Sequence, residues 1–185
     1  MRSIAAAICI LGFVSLGQAE DWPNWRGPHF NGTASATDLP TAWSRTENIA
    51  WVADLPGVSA ATPIVVGDNV YVSSCDLERD VLVALCFDRR TGEKKWSRDI
   101  SDGIRRDTRS TFAAPSPVSD GEVVVFFYGN GELIAFDVDG ELLWQRNIVR
   151  DYGEFAFNWT FSTSPILFDG KLILQVLQRD VAVEG

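Results

Sequence analysis

The chain has 185 residues, 46% of them apolar, enough for one globular core of ordinary size. Sixteen basic residues against 25 acidic ones give a net charge of −9, which leaves no basic footprint for nucleic acid. A single histidine, His29, and the absence of Cys-x-x-Cys argue against a histidine-based triad, haem attachment and a zinc site.

Residues 1–19 read as a secretory signal. Arg2 supplies a short positive start, Ile4 to Leu16 an apolar run, and Gly17-Gln-Ala19 small residues for cleavage before Glu20. The apolar run falls short of the ~20 residues of a spanning helix. The expectation is a secreted or periplasmic protein with no transmembrane span once the signal is removed. Cys9 lies inside the apolar run, too far from the cleavage point for a lipidated N-terminus.

Residues 20–47 read as an extended arm. They open on Asp21-Trp-Pro-Asn-Trp-Arg-Gly27 and continue through Gly, Thr, Ser and Ala with few periodic signals. From there on, short β-branched and aromatic runs alternate with Gly, Asp and Asn turns, and no helical periodicity is visible. Residues 48–56 include Asn48-Ile-Ala-Trp51-Val-Ala-Asp-Leu55, expected as an outer strand carrying a Trp.

Residues 59–100 contain four expected strands, Ala61–Val66, Asn69–Cys75, Val81–Asp88 and Glu93–Asp99. Residues 111–148 contain four more, Ala113–Ser119, Glu122–Tyr128, Glu132–Asp137 and Glu141–Asn147. Residues 160–185 contain two, Phe161–Phe168 and Lys171–Leu177. Each segment opens on a Ser/Thr-Pro pair (Thr62-Pro63, Ser116-Pro117, Ser164-Pro165) and turns at Gly67-Asp68, Asp120-Gly121 or Asp169-Gly170. The first two segments close on a Trp, and 21 positions separate Trp96 from Pro117 and Trp144 from Pro165. Such self-similarity marks a repeat architecture. Four-stranded antiparallel meanders of this size fit the blades of a β-propeller. The fold class is therefore all-β, a partial β-propeller with about two complete blades and half of a third. Closing the ring needs missing blades or another chain, and an open strand edge favours self-association.

Cys86-Phe-Asp-Arg-Arg-Thr-Gly-Glu-Lys-Lys-Trp96 resembles the PQQ-type propeller repeat, whose pattern is Ala-x-Asp-x-x-Thr-Gly-x-x-x-Trp. Ala135-Phe-Asp-Val-Asp-Gly-Glu-Leu-Leu-Trp144 fits with one residue fewer. The resemblance covers about residues 48–177. It implies that Trp96 and Trp144, with Trp51, dock each blade on its neighbour. It also places Asp88, Gly92 and Asp137 among the blade-docking residues, with Thr91-Gly92 and Asp139-Gly140 as turns. The family includes quinoprotein dehydrogenases, which hold pyrroloquinoline quinone (PQQ) and calcium, and a non-enzymatic lipoprotein scaffold of outer-membrane protein assembly. The dehydrogenases stack an adjacent-cysteine disulfide on the quinone, and this sequence has no Cys-Cys pair.

Two connectors between segments carry functional residue types. One holds Arg105, Arg106 and Arg109, the other Tyr152, Phe155, Phe157 and Trp159. Guanidinium groups beside aromatic faces could hold a carboxylate, a phosphate or a sugar. The same arginines can instead pair with Asp102, Asp107 and Asp151, with the aromatics capping the groove between blades. Asp76, Glu78 and Asp80 read as a solvated loop. Cys75 and Cys86 read as two buried free thiols several rungs apart.

The sequence thus favours a non-catalytic binding or scaffolding propeller, its partner a protein or a small-molecule or carbohydrate ligand, with no catalytic residue, metal site or cofactor assigned. The competing classes are the N-terminal part of a PQQ-dependent oxidoreductase and a carbohydrate- or anion-binding propeller.

Overall fold

The computed structural model describes residues 20–108, 110–155 and 159–176. The expected signal segment 1–19, Arg109, Phe157 and the stretch from 177 onward lie outside the described residues.

The fold is all-β, built as three antiparallel sheets that form part of a propeller. The first blade runs β1 (Ile64–Val66), β2 (Asn69–Asp76), β3 (Val81–Asp88) and β4 (Lys94–Asp102), paired in that order. The second runs β5 (Val118–Ser119), β6 (Val123–Phe127), β7 (Glu132–Asp137) and β8 (Leu142–Asn147). A five-residue helix, α1 (Ile148–Tyr152), follows, and then the hairpin β9 (Ile166–Phe168) and β10 (Lys171–Ile173). The inner strands β1, β5 and β9 are neighbours in that order.

The central strands are buried on both faces, so they read as almost unbroken apolar runs. Period-two alternation decides which neighbour each side chain meets. Tyr71, Cys75, Leu82, Ala84 and Cys86 of the first blade meet Val124, Phe126, Ile134 and Phe136 of the second. The opposite face, Val70, Val72, Val83, Leu85 and Phe87, is covered by Trp51 and Ala53. On the far side of the second blade, Val125, Phe127, Leu133 and Ala135 pack with Leu167, Leu172 and Leu174.

Several local expectations are corrected. The inner strands are shorter than the apolar runs, because Pro63 and Pro117 have no N–H to give a ladder. No strand forms over Asn48–Leu55: among the described residues no neighbouring strand pairs with it. Helix α1 was invisible to periodicity at one turn and a half. It is set by Asn147, whose side-chain oxygen accepts the Arg150 amide, and it stops at Gly153, φ +94°.

Cys75 and Cys86 are free and buried; they stand opposite Leu82 and Tyr71. Burial raises both thiols, Cys86 to about 12, so neither is a ready nucleophile.

Candidate functional site

The repeat's signature residues form a socket that appears twice. Asp88 Oδ1 accepts the amides of Arg90 (2.9 Å) and Thr91 (2.8 Å) and the Thr91 hydroxyl (3.1 Å). These bonds hold the Asp88 carboxyl below the usual carboxylate range, the Thr91 amide contributing most. Asp137 Oδ1 likewise accepts the amides of Asp139 and Glu141. Each turn ends on a glycine with positive φ, Gly92 at +74° and Gly140 at +83°.

An indole sits on each socket. Trp51 Nε1 donates to the Arg89 carbonyl at 2.9 Å, and Trp96 Nε1 to the Val138 carbonyl at 3.1 Å. In both cases the acceptor is the residue that follows the turn's Asp. A Cβ on Gly92 would lie 2.5 Å from the Trp51 ring, and one on Gly140 2.8 Å from the Trp96 ring. Trp96 is completed by Tyr71, Phe126 and Phe136, with ring centroids 5.7 to 6.3 Å away. Trp144 stands at the matching position of the second blade and is 38% exposed. It lines an open apolar groove of about 540 Å³ with Leu133, Tyr152, Leu172 and Leu174.

The Ser/Thr-Pro pairs form a second recurring device. The Thr62 amide donates to Ser116 Oγ (2.8 Å), and the Ser116 amide donates to Ser164 Oγ (3.0 Å). These bonds span 54 and 48 residues, the two repeat lengths. Each blade thus hands its pre-proline N–H to the next blade's hydroxyl.

The arm is fastened across the inner edges. Trp22 exchanges backbone bonds with Val65 (2.7 and 3.0 Å), and the Pro23 carbonyl accepts the Ser119 amide. Asp21 accepts the Gly67 amide and pairs with Arg89 at 3.2 Å. The Trp22 ring covers Gly27, and buried Asn24 closes the loop with bonds to Gly27 and Arg26.

A cleft of about 1090 Å³ lies where the inner strands begin. Ala60, Thr62, Ala114, Ser116, Ser162 and Ser164 line it from the three strand entries. Trp25 comes from the arm, Asp107, Thr108 and Ser110 from the first connector, and Trp159 and Thr160 from the second. Asp107 ties the two connectors together. It accepts the Ser110 amide (2.8 Å), the Thr160 amide (3.0 Å) and the Thr160 hydroxyl (2.7 Å).

The candidate residues from the sequence are not gathered in one place. Trp159 lines this cleft, whereas Tyr152 lines the Trp144 groove, where its hydroxyl and ring face Arg146. Arg105 and Arg106 are exposed on the first connector, closed by an Arg106–Thr111 bridge, and line neither cavity. Arg109 lies outside the described residues. Asp151 pairs with Arg146 at 2.8 Å. The acidic loop is braced by Arg79, which bonds Asp76 and Asp99. Sequence reading missed Trp25 as a cleft residue and the hydroxyl relay, and it named Asp107 only as a partner for the connector arginines, not as the acceptor that ties the two connectors. The recurring Ser/Thr before proline was the visible signal for the relay.

The described residues do not fit a PQQ and calcium centre of their own. No group of three or more His, Cys, Asp or Glu converges among them, and Cys75 and Cys86 sit apart on separate strands. The wall of the cleft is mostly hydroxyl, and its one carboxylate, Asp107, already accepts three hydrogen bonds.

Fold and socket together define a β-propeller of PQQ-like repeats. The family model described as outer membrane protein assembly factor BamB matches residues 32–180, and the chain belongs to that family. Among solved structures, BamB from Moraxella catarrhalis is 19% identical, with a TM-score of 0.44, over 65% of this chain and 30% of that one. The quinohemoprotein alcohol dehydrogenase of Comamonas testosteroni is 24% identical, with a TM-score of 0.44, over 64% of this chain and 17% of that one. ADHIIG from Pseudomonas putida HK5, another such dehydrogenase, is 21% identical, with a TM-score of 0.45, over 66% of this chain and 17% of that one. The chain therefore spans under a third of the length of these structures. A search of curated proteins finds no match.

Proposed function

We propose that this chain is part of a non-catalytic scaffolding propeller of the cell envelope or secreted fraction, whose ring is completed by further blades or by another chain. One observation carries this reading. The residues that define the repeat are spent on joining blades: Asp88, Thr91 and Gly92 receive Trp51, and Asp137 and Gly140 receive Trp96. They are architecture, and they leave loops and grooves to make contacts. The family's name, that of an assembly factor, supports a protein partner. The apolar groove beside Trp144 offers a surface for the next blade or for that partner.

The test separates the scaffold from a quinoprotein oxidoreductase. The full-length protein is reconstituted with PQQ and calcium and assayed for dye-linked oxidation of primary alcohols. The expected result is no quinone-dependent turnover. Turnover that requires both PQQ and calcium overturns the scaffold reading.

A further inference from the structure

We infer that the cleft at the strand entries is a binding site for a neutral oligosaccharide. The inference rests on the scaffold reading and assigns that scaffold a ligand class. Two indoles border the cleft, Trp25 at 46% and Trp159 at 60% exposed, and the Arg26 guanidinium lies 5.3 Å from the Trp25 ring centroid. They arrive from separate segments, the arm and the second connector, and meet at one cavity. An indole face is electron-rich and attracts polarised C–H groups, which a pyranose ring presents on its flat side.

The rest of the wall matches the rim of a sugar. Thr108, Ser162 and Thr163 bring hydroxyls, each able to donate and accept, and Gln175 adds an amide. Ser110 Oγ has no hydrogen-bond partner in its present rotamer. A buried polar group in that condition calls for a partner.

Charge selects against other ligands. Among the described residues no Lys or Arg lines the cleft, so the described wall offers a phosphate or carboxylate ligand no cation. The one carboxylate, Asp107, is saturated by Ser110 and Thr160 and braces the wall. A cationic ligand therefore gains little. An uncharged polyhydroxylated chain remains.

The experiment is a calorimetric and tryptophan-fluorescence titration of the full-length protein. The probes are cellohexaose, xylohexaose, chitohexaose and maltohexaose, with oligogalacturonate as the anionic comparison. At least one neutral hexasaccharide binds and shifts the emission, and oligogalacturonate does not. Trp159→Ala and Trp25→Ala each weaken binding about tenfold or more, as loss of a stacked aromatic contact predicts. Trp43→Ala, an exposed indole outside the cleft, leaves it unchanged, as does the Arg105→Ala/Arg106→Ala double variant. If Trp25→Ala unfolds the arm, Gln175→Ala replaces it. Binding of none of the neutral probes, of oligogalacturonate alone, or binding that survives Trp159→Ala, overturns the inference. Loss of the sugar site without quinone-dependent turnover leaves the scaffold reading standing, so the two failures are distinct.

Discussion

At the residue scale, indole and glycine pack as one unit. Trp96 fills the space that any side chain at position 140 would need, and Gly140 also holds a φ that other residues adopt at a cost. Gly140→Ala meets both penalties, so it destabilises by more than the ~1 kcal/mol of backbone strain alone. Trp96→Phe keeps most of the ring but leaves the Val138 carbonyl without its donor, a loss of about 1–3 kcal/mol. Urea unfolding curves check both. An unchanged midpoint for Gly140→Ala would show that the socket yields, and the docking role of Trp96 would fall.

Asp88 adds a pH dependence with a definite sign. Its folded-state pKa is lowered by the Thr91 and Arg90 amides and the Thr91 hydroxyl. Its stabilising contribution is therefore present above the ordinary carboxylate range, about 4, and is lost as pH falls through the folded value. Asp76 and Glu20 act in the same direction. The melting temperature should fall on acidification. Asp88→Asn, which keeps an acceptor oxygen but cannot titrate, should make that fall shallower. Identical slopes for the two proteins would contradict the assignment.

At the scale of elements, the hydroxyl relay links strands that share no ladder. Ser116 is buried, and its Oγ accepts the Thr62 amide. Ser116→Ala removes that bond and should cost about 0.5–1.5 kcal/mol, since Thr62 is exposed. Ser116→Thr, which restores a hydroxyl, should recover most of it. Equal stability of the Ala and Thr variants would remove the relay from the account of inter-blade cohesion.

The relay also shows what was legible in the sequence and what was not. The strands were readable because central blade strands are buried on both sides, so their apolar runs stand out against Gly and Asp turns. The bulge before each Trp left a readable trace. Trp96 faces Cys86 and Trp144 faces Ala135, so a small residue is required opposite a large one. The ends of the inner strands were not readable, since proline removes the ladder donor while the apolar pattern continues past it. The large cleft was not readable either. Its wall draws single residues from the arm, two connectors and three strand entries, and no local period joins them. The connector arginines drew attention because charge is conspicuous, yet Arg105 and Arg106 line neither cavity described.

At the scale of the whole molecule, the two sides of the blade pair differ. The face of the first blade is closed by Trp51 and Ala53 from the segment 48–56, so its apolar strands are covered. On the side of the second blade, Trp144 is 38% exposed and borders the groove with Leu172, Leu174 and Val176. Leu142, Leu143 and Ile173 are exposed as well. Apolar surface of this kind, beside a hairpin of only two short strands, favours contact with another chain. Residues 20–185 expressed alone should therefore self-associate through this groove. Leu174→Glu places a charge in it, and the net charge of the chain is already negative, so copies carrying the change repel one another. Sedimentation velocity should show concentration-dependent association for the parent and a shift toward monomer for the variant. A parent that stays monomeric and unfolds cooperatively across the concentration range would mean that the groove is satisfied within one chain.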